Sequence, residues 1–270
     1  MNSINILSYF STYPYEVFRR FLGSLYDTGF KGKVTFFMMQ DTIDDLSNKI
    51  KSNFEKVEIE PFYELKTPCH LYTVRFFLYL KYLNSIKLDP QGYTLLCDGR
   101  DILFQKNPEE YPLSNNDIFL FQEENITIKE SNINNKWYEV LKKIFRHNLN
   151  YNDKPVMCAG TILLKNSYII KFLETFLEHV ISYKLCQTGL NLDQGLYNYL
   201  YYADELKCSP KVMTNIDNLV NTTGYGFKKI NEDNLIVNVH NEISYIVHQY
   251  DRFTQSDRKK ISSKYNFYEW

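Results

Sequence analysis

A chain of 270 residues suits one large α/β domain or two small ones. With 44% hydrophobic and 23% charged residues it can bury a core, and a formal net charge of −1 removes the basic field that draws proteins to nucleic acid. No apolar run reaches the roughly 18–20 residues that span a bilayer, and the N-terminus carries no basic stretch followed by a long apolar one. The five cysteines, Cys69, Cys97, Cys158, Cys186 and Cys208, are dispersed without a CxxC pair. That spacing excludes zinc-ribbon and thioredoxin-like sites and fits a reduced, cytoplasmic compartment, from which any contact with a membrane-borne acceptor would be peripheral.

Ile4 to Phe10 is a short apolar run of the kind that forms a buried parallel strand. Glu16 to Tyr26 follows with Val17, Phe18, Phe21, Leu22 and Leu25 at helical spacing. Val34 to Met39 reads as a second strand, Thr42 to Phe54 as a helix, and Val57 to Ile59 as a third strand. This alternation predicts a doubly wound, mainly parallel sheet. His70 to Asn84 is an apolar helix, Tyr93 to Asp98 a buried strand ending on a carboxylate, and Asp117 to Glu123 another strand. Ile126 to Asn152 contains a helix behind an Asn-rich surface loop. A strand over Cys158 to Asn166, helices over Ser167 to Ser182 and Asp193 to Leu206, and a strand over Ile243 to His248 complete the pattern. With no repeat and no Pro/Gly/Ser linker, residues 1–253 read as a single domain. The tail, 254–270, is basic in its middle.

The most informative segment is Leu95 to Pro108, LLCDGRDILFQKNP. Ligands of open α/β sheets bind at the carboxyl ends of strands, where Asp98, Arg100 and Asp101 fall. Two carboxylates across a tight turn can converge on Mg²⁺ or Mn²⁺, hard cations that take oxygen ligands and keep positions for substrate phosphates. Asp-Gly is also a common turn dipeptide, so in isolation the pair could be Asp98 capping a turn and Asp101 starting a helix.

Four strings taken together resemble a known family. D-x-R-D-I-L-F-Q-x-x-P from Asp98 is similar to the DxD-type metal-binding region of GT-A glycosyltransferases, in a viral and bacterial group of nucleotide-sugar enzymes. CAGTILLKN (Cys158 to Asn166), LDQGLYNYL (Leu192 to Leu200) and YIVHQYDR (Tyr245 to Arg252) resemble further pieces of that pattern in the same order. The departure is Gly99 with Asp101 in place of a strict D-x-D. The resemblance implies a GT-A fold and divalent-metal-dependent transfer of a sugar from a nucleotide diphosphate, UDP foremost, to a hydroxyl of a glycan or other acceptor. It implies Asp98, Asp101 and His248 as metal ligands, with His240 as the competing histidine. The nucleotide-sugar-binding half would be 1–110 and the acceptor-side half 111–253. Arg75, the single cation inside the apolar helical stretch HLYTVRFFLYL, would face the diphosphate, or else form a salt bridge or snorkel. Asp193 would meet the sugars as a hydrogen-bond partner or general base, unless it caps its helix. Arg100 would pair with Asp98 or a sugar hydroxyl, Tyr9 or Tyr13 would stack on the base, and Gln194 would contribute to the same site. Gly160 would let a sugar approach the backbone.

Two rivals stand beside this reading. A nucleotidyltransferase would open with a Gly-rich, Arg-containing loop after the first strand, and SYFSTYPYEVFRR has no glycine there. A catalytically inactive nucleotide- or glycan-binding module would keep the ligands without turnover.

Overall fold

The first strand, β1 (Ile4–Phe10), lies inside the sheet because the chain winds away from it in both directions. Helix α1 (Tyr15–Asp27) crosses over to β2 (Val34–Met39), and α2 (Asp44–Asn53) leads to β3 (Val57–Phe62) at one edge. Helix α3 (Leu71–Leu83) then carries the chain back to the other side of β1, where β4 (Tyr93–Asp98) pairs with it. In the computed structural model, which describes residues 2–40, 43–54, 56–63 and 69–264, this places a reversal of winding between β1 and β4. Such a switch point leaves a crevice at the carboxyl ends of the two strands, because their helices lie on opposite faces.

Beyond β4 a tight turn sends β5 (Ile102–Phe104) out of this sheet. The chain returns as β6 (Ile118–Thr127), passes through α4 (Asn132–Phe145), and re-enters as β7 (Pro155–Lys165). Helices α5 (Ile169–Ser182) and α6 (Asp193–Tyr202) precede the edge strand β8 (Pro210–Met213). The seven strands run in the order β3-β2-β1-β4-β7-β6-β8. Every pairing is parallel except those of β7, which is antiparallel to both β4 and β6. The predicted α/β architecture with a mainly parallel sheet is therefore present.

Strand periodicity divides the core between the two faces. Ile4, Ile6, Phe10, Phe36 and Leu95 pack with Phe18 and Phe21 of α1 and Ile50 of α2. Leu7, Tyr9, Phe37 and Leu96 pack with Val74 and Phe76 of α3, Phe172 and Phe176 of α5, and Leu196 of α6. Asp98 follows Leu96 by two positions, so it shares the face on which α3 lies.

A smaller sheet closes the other side of the turn after β4. Its strands are β5, β9 (Val220–Thr222) and, beyond the hairpin of β10 (Lys229–Ile230) and β11 (Ile236–Val237), β12 (Ile246–His248). Helix α7 (Gln255–Ser263) is capped by Thr254, whose hydroxyl accepts from the Asp257 N–H. Buried Ile261 fixes it against Leu103, Ile236 and Val247.

Several boundaries differ from the sequence reading. The Asn-rich segment predicted as a loop is the first turn of α4, because Ser131 caps it: its hydroxyl accepts from the backbone N–H and the side-chain amide of Asn134. The third strand extends to Phe62, the helix from Asp193 stops at Tyr202, and the last strand shortens to three residues. Strands β5 and β8 to β11 were not foreseen, since segments of two to four residues carry no readable period. The predicted helix start at Thr42 and the tail from 265 onward lie outside the described residues. Cys69 and Cys186, unpaired in the sequence reading, form a disulfide across 117 residues. They meet because the segment before α3 packs on the turn before α6, a contact that spacing cannot reveal.

The aromatic cluster under β1 and β2 tests this core. Phe36 is fully buried, with the rings of Phe10, Phe18 and Phe21 at 4.6, 5.8 and 5.4 Å. Phe36→Ala is expected to cost about 3–5 kcal/mol in urea unfolding. A cost near that of an exposed phenylalanine would contradict the packing.

Candidate active site

Three side chains converge at the carboxyl end of β4. Asp98 ends the strand, Asp101 ends the turn that follows, and β5 begins at once. Antiparallel pairing of β12 with β5 sets His248 opposite Ile102, and the Gln249 N–H donates to the Asp101 carbonyl at 2.9 Å. His248 Nε2 thus lies 3.5 Å from Asp98 Oδ2 and 3.7 Å from Asp101 Oδ1. One ligand atom from each of the three falls within 4.8 Å of the others. Exposed His240 belongs to a turn elsewhere and takes no part in the cluster.

The donor set fits a divalent cation. Two carboxylates and one imidazole are competent ligands for Mn²⁺ or Mg²⁺. His248 Nε2 is buried and makes no hydrogen bond among the described residues, although it points at both carboxylates. Its Nδ1 is held by Cys158 Sγ at 3.4 Å, which orients the ring. Gly160 leaves the space: a Cβ there would come within 2.6 Å of His248 Nε2 and 2.7 Å of Asp98 Oδ2. Room for a sugar was expected at Gly160; the space a side chain would fill there is occupied by the His248 ring and the Asp98 carboxylate.

Arg75 fixes this arrangement from below. The apolar face of α3 carries it into the protein, where it is 5% exposed. Its Nη1 donates to Asp98 Oδ1 at 2.5 Å, and its Nη2 donates to Asp193 Oδ2 at 2.9 Å and to the Ala159 carbonyl at 3.1 Å. The salt-bridge alternative of the sequence reading is thus realised, across two carboxylates at once. Burial works to raise the Asp98 pKa, but Arg75 and then His248 offset it and hold the carboxyl at about 2. Asp101 lacks the arginine, and burial raises its pKa. Burial disfavours the charged imidazole of His248, yet Cys158 and the neighbouring carboxylates raise its pKa well above the ordinary value. Since burial also lifts the Cys158 thiol to about 11, Asp98 rather than the thiol is the charged partner of His248 near neutral pH.

Asp193 is the first residue of α6, and Leu192 holds the capping position, so the capping alternative is not realised. Its carboxyl is buried and its pKa raised by that burial, against the pull of Arg75. Gln194 braces the strand beside it: Oε1 accepts from the Ala159 N–H at 3.1 Å, while Nε2 donates to Asn134 at 3.0 Å and Glu123 at 3.3 Å. Arg100 does not take the one protein partner expected of it, Asp98. It pairs with Asp251 at 2.9 Å, with Asp101 at 3.9 Å, because the turn directs its half-exposed side chain away from Asp98.

Two clefts open beside the cluster. One, of about 160 Å³, fills the crevice predicted by the winding and is lined by Tyr9, Tyr13, Tyr72, Arg75, Asp98 and Arg100 among others. Tyr9 is placed there by pairing with Asp98 in the sheet register. The second, of about 410 Å³, is lined by Glu123, Trp137, Gln194, Tyr225, Gln249 and Arg252 among others. Glu123, Trp137 and Cys158 were not singled out from the sequence. For Glu123 a signal existed: it closes the apolar run DIFLFQE as Asp98 closes YTLLCD. Trp137 and Cys158 carried none.

No family model matches the chain, and no curated protein matches it by sequence. Solved structures do. A galactosyltransferase, LgtC, in complex with donor and acceptor sugar analogs, superposes with a TM-score of 0.59 at 9% identity, over 98% of this chain and 94% of that one. An LgtC active-site mutant, glutamine to glutamate, matches at 0.59 and 11% identity, covering 97% and 94%. Mouse xyloside xylosyltransferase 1 matches at 0.53 and 13% identity, covering 82% and 87%. The fold is the GT-A glycosyltransferase fold.

Within this GT-A scaffold the local geometry yields two expectations. Gly160→Ala should displace the held His248 ring and the Asp98 carboxylate, so that Mn²⁺ affinity of the folded variant, measured by calorimetry, falls about tenfold or more. Unchanged Mn²⁺ affinity would remove Gly160 from the site. Arg75→Met removes the cation from buried Asp193 and from partly exposed Asp98, and should cost about 3–5 kcal/mol in urea unfolding. A cost below about 1 kcal/mol, the level of an exposed ion pair, would show that Arg75 does not bridge them.

Proposed function

We propose that this chain is a glycosyltransferase that moves a sugar from a nucleotide-diphosphate donor, a UDP-sugar foremost, to a hydroxyl of a saccharide acceptor, with a divalent cation held by Asp98, Asp101 and His248. The observation that carries the reading is the convergence of those three side chains at the switch point of a GT-A sheet. When bound, Mn²⁺ or Mg²⁺ supplies the Lewis acid that neutralises charge on a departing nucleoside diphosphate.

The residues around it have separable tasks. The narrower cleft, bounded by Tyr9, Tyr13 and Tyr72, offers aromatic faces to a base and lies against Asp98, where a diphosphate is needed. Arg75 holds Asp98 ionised and in place, and its buried contacts make it a brace for the carboxylates rather than a clamp on phosphate. Asp193, tied to the same guanidinium, is left to accept from a donor-sugar hydroxyl. Arg100, half-exposed at the rim, is available to a phosphate or sugar oxygen. The wider cleft takes the acceptor, with Trp137 and Tyr225 as sugar-stacking walls and the Glu123 carboxyl to receive a hydroxyl. An active-site glutamine is the altered residue in one LgtC structure, and Gln194 supplies that residue type here, in the lining of the wider cleft.

Thermal-shift titration with UDP, GDP, CDP and dTDP, each with Mn²⁺ or EDTA, tests the proposal. A ligand at about 100 times its Kd adds about 2.7 kcal/mol of stability. One nucleotide, UDP by this account, should raise Tm with Mn²⁺ and not with EDTA, and Asp101→Asn should abolish the shift. A folded protein indifferent to every nucleotide would refute a donor site. A metal-dependent nucleotide shift without sugar transfer from any nucleotide sugar would point instead to an inactive binding module.

A further inference from the structure

A third cleft, also of about 410 Å³, lies where α7 faces the β10–β11 hairpin, and its charged lining is Lys228, Lys229, Arg252, Asp257 and Lys260. Four cations and one acid in one groove stand out in a chain whose formal net charge is −1. The acid is committed locally: Asp257 Oδ2 accepts from the Thr254 hydroxyl at 2.7 Å, and its Oδ1 lies 3.8 Å from Lys260 Nζ. Two of the cations have uncharged partners: Lys228 Nζ donates to the Gly224 and Gly226 carbonyls at 3.2 and 3.4 Å, and Lys229 Nζ donates to Asn241 Oδ1 at 2.6 Å. Arg252 Nε lies 3.7 Å from Asp251 Oδ1, so it and Lys260 each have a carboxylate nearby. An uncharged amide or carbonyl fixes an ammonium without neutralising it, so Lys228 and Lys229 leave the groove an excess of positive charge.

The walls are built rather than frayed. Ile261 anchors α7 in the same small core as Ile236 and Val247, and Lys229 and Ile230 pair with Val237 and Ile236 across the hairpin. Arg252 lines both this groove and the wider cleft that carries Glu123, Trp137 and Gln194. The two therefore adjoin at one side chain. Of the basic run Arg258 to Lys260 on α7, Lys260 is the residue that lines the groove.

Resting on the acceptor assignment made above, we propose that the acceptor carries a phosphate ester, and that the groove of Lys228, Lys229, Arg252 and Lys260 binds that anionic group while the saccharide occupies the adjoining cleft. A phosphate matches this site better than a neutral glycan would, because its oxygens accept from several ammonium and guanidinium donors at once. The ester could belong to a soluble phosphosugar or to a lipid headgroup. Both present the same oxygens to the groove.

The test measures direct binding by the full chain. Calorimetry compares glucose 6-phosphate with glucose, and flotation compares phosphatidylcholine vesicles with and without phosphatidylglycerol. The wild type should bind at least one phosphate-bearing probe in preference to its neutral counterpart, and the binding arm identifies the source. The double variant Lys229→Ala/Lys260→Ala should weaken that binding about tenfold or more, since two charge-assisted contacts are lost. The single variant Lys260→Glu, on the exposed side of α7, should do the same without touching the hairpin. In both variants the Mn²⁺-dependent nucleotide shift should persist, which separates failure here from failure of the donor site. Equal binding of charged and neutral probes by the wild type, or variants that bind the phosphate probe as the wild type does, would overturn the proposal.

Discussion

Everything at the centre of this protein depends on one buried cation. Arg75 is driven into the interior by the apolar face of α3, where a guanidinium without partners would be prohibitively costly. The sheet meets it with Asp98 from β4 and a carbonyl from β7, and α6 meets it with Asp193. One planar fork thereby couples three elements that are distant in sequence. It keeps Asp98 ionised with its second oxygen turned toward His248 and Asp101. The oxygens left outside the fork are the ones that chemistry can use.

A second constraint is spatial. Three ligand side chains can approach one another only because β7 presents Gly160 beside them, and because β5 and β12 pair immediately after the Asp98–Asp101 turn. On the other side, α4 and α6 approach closely over Gly195, where a Cβ would come within 2.7 Å of Trp137 Cβ. That contact helps position the indole on the wall of the wider cleft. The cluster of Asp98, Asp101 and His248 and the two clefts beside it are consequently set by backbone pairing and small residues rather than by long, flexible loops.

Much of this was legible in the sequence, for reasons that differ by residue. The alternation of apolar runs and amphipathic helices from Ile4 to Asp98 fixes the winding, because buried parallel strands and crossover helices have distinct periods. Asp98 and Asp101 stood out because charges at the end of such a strand lie where ligands bind. His248 and Asp193 were recognisable through resemblance, not through spacing. Other features were illegible because they arise only on folding. The Arg75 bridge to Asp193 spans 118 residues, and the Cys69–Cys186 bond spans 117. Arg100 was assigned to Asp98 from proximity in sequence, whereas the turn hands it to Asp251, 151 residues away. The very short strands of the second sheet and the place of Arg252 in the lining of two clefts likewise have no local signature.

The central claim is that Asp98, Asp101 and His248 hold one divalent cation together. It is tested most directly by crystallising the protein with Mn²⁺ and UDP and locating manganese from its anomalous scattering. The account predicts a single strong peak in contact with a carboxylate oxygen of Asp98 and of Asp101 and with His248 Nε2, with the diphosphate completing the shell. A peak held by other residues, or ordered UDP in the narrow cleft with no manganese among these three side chains, would contradict it.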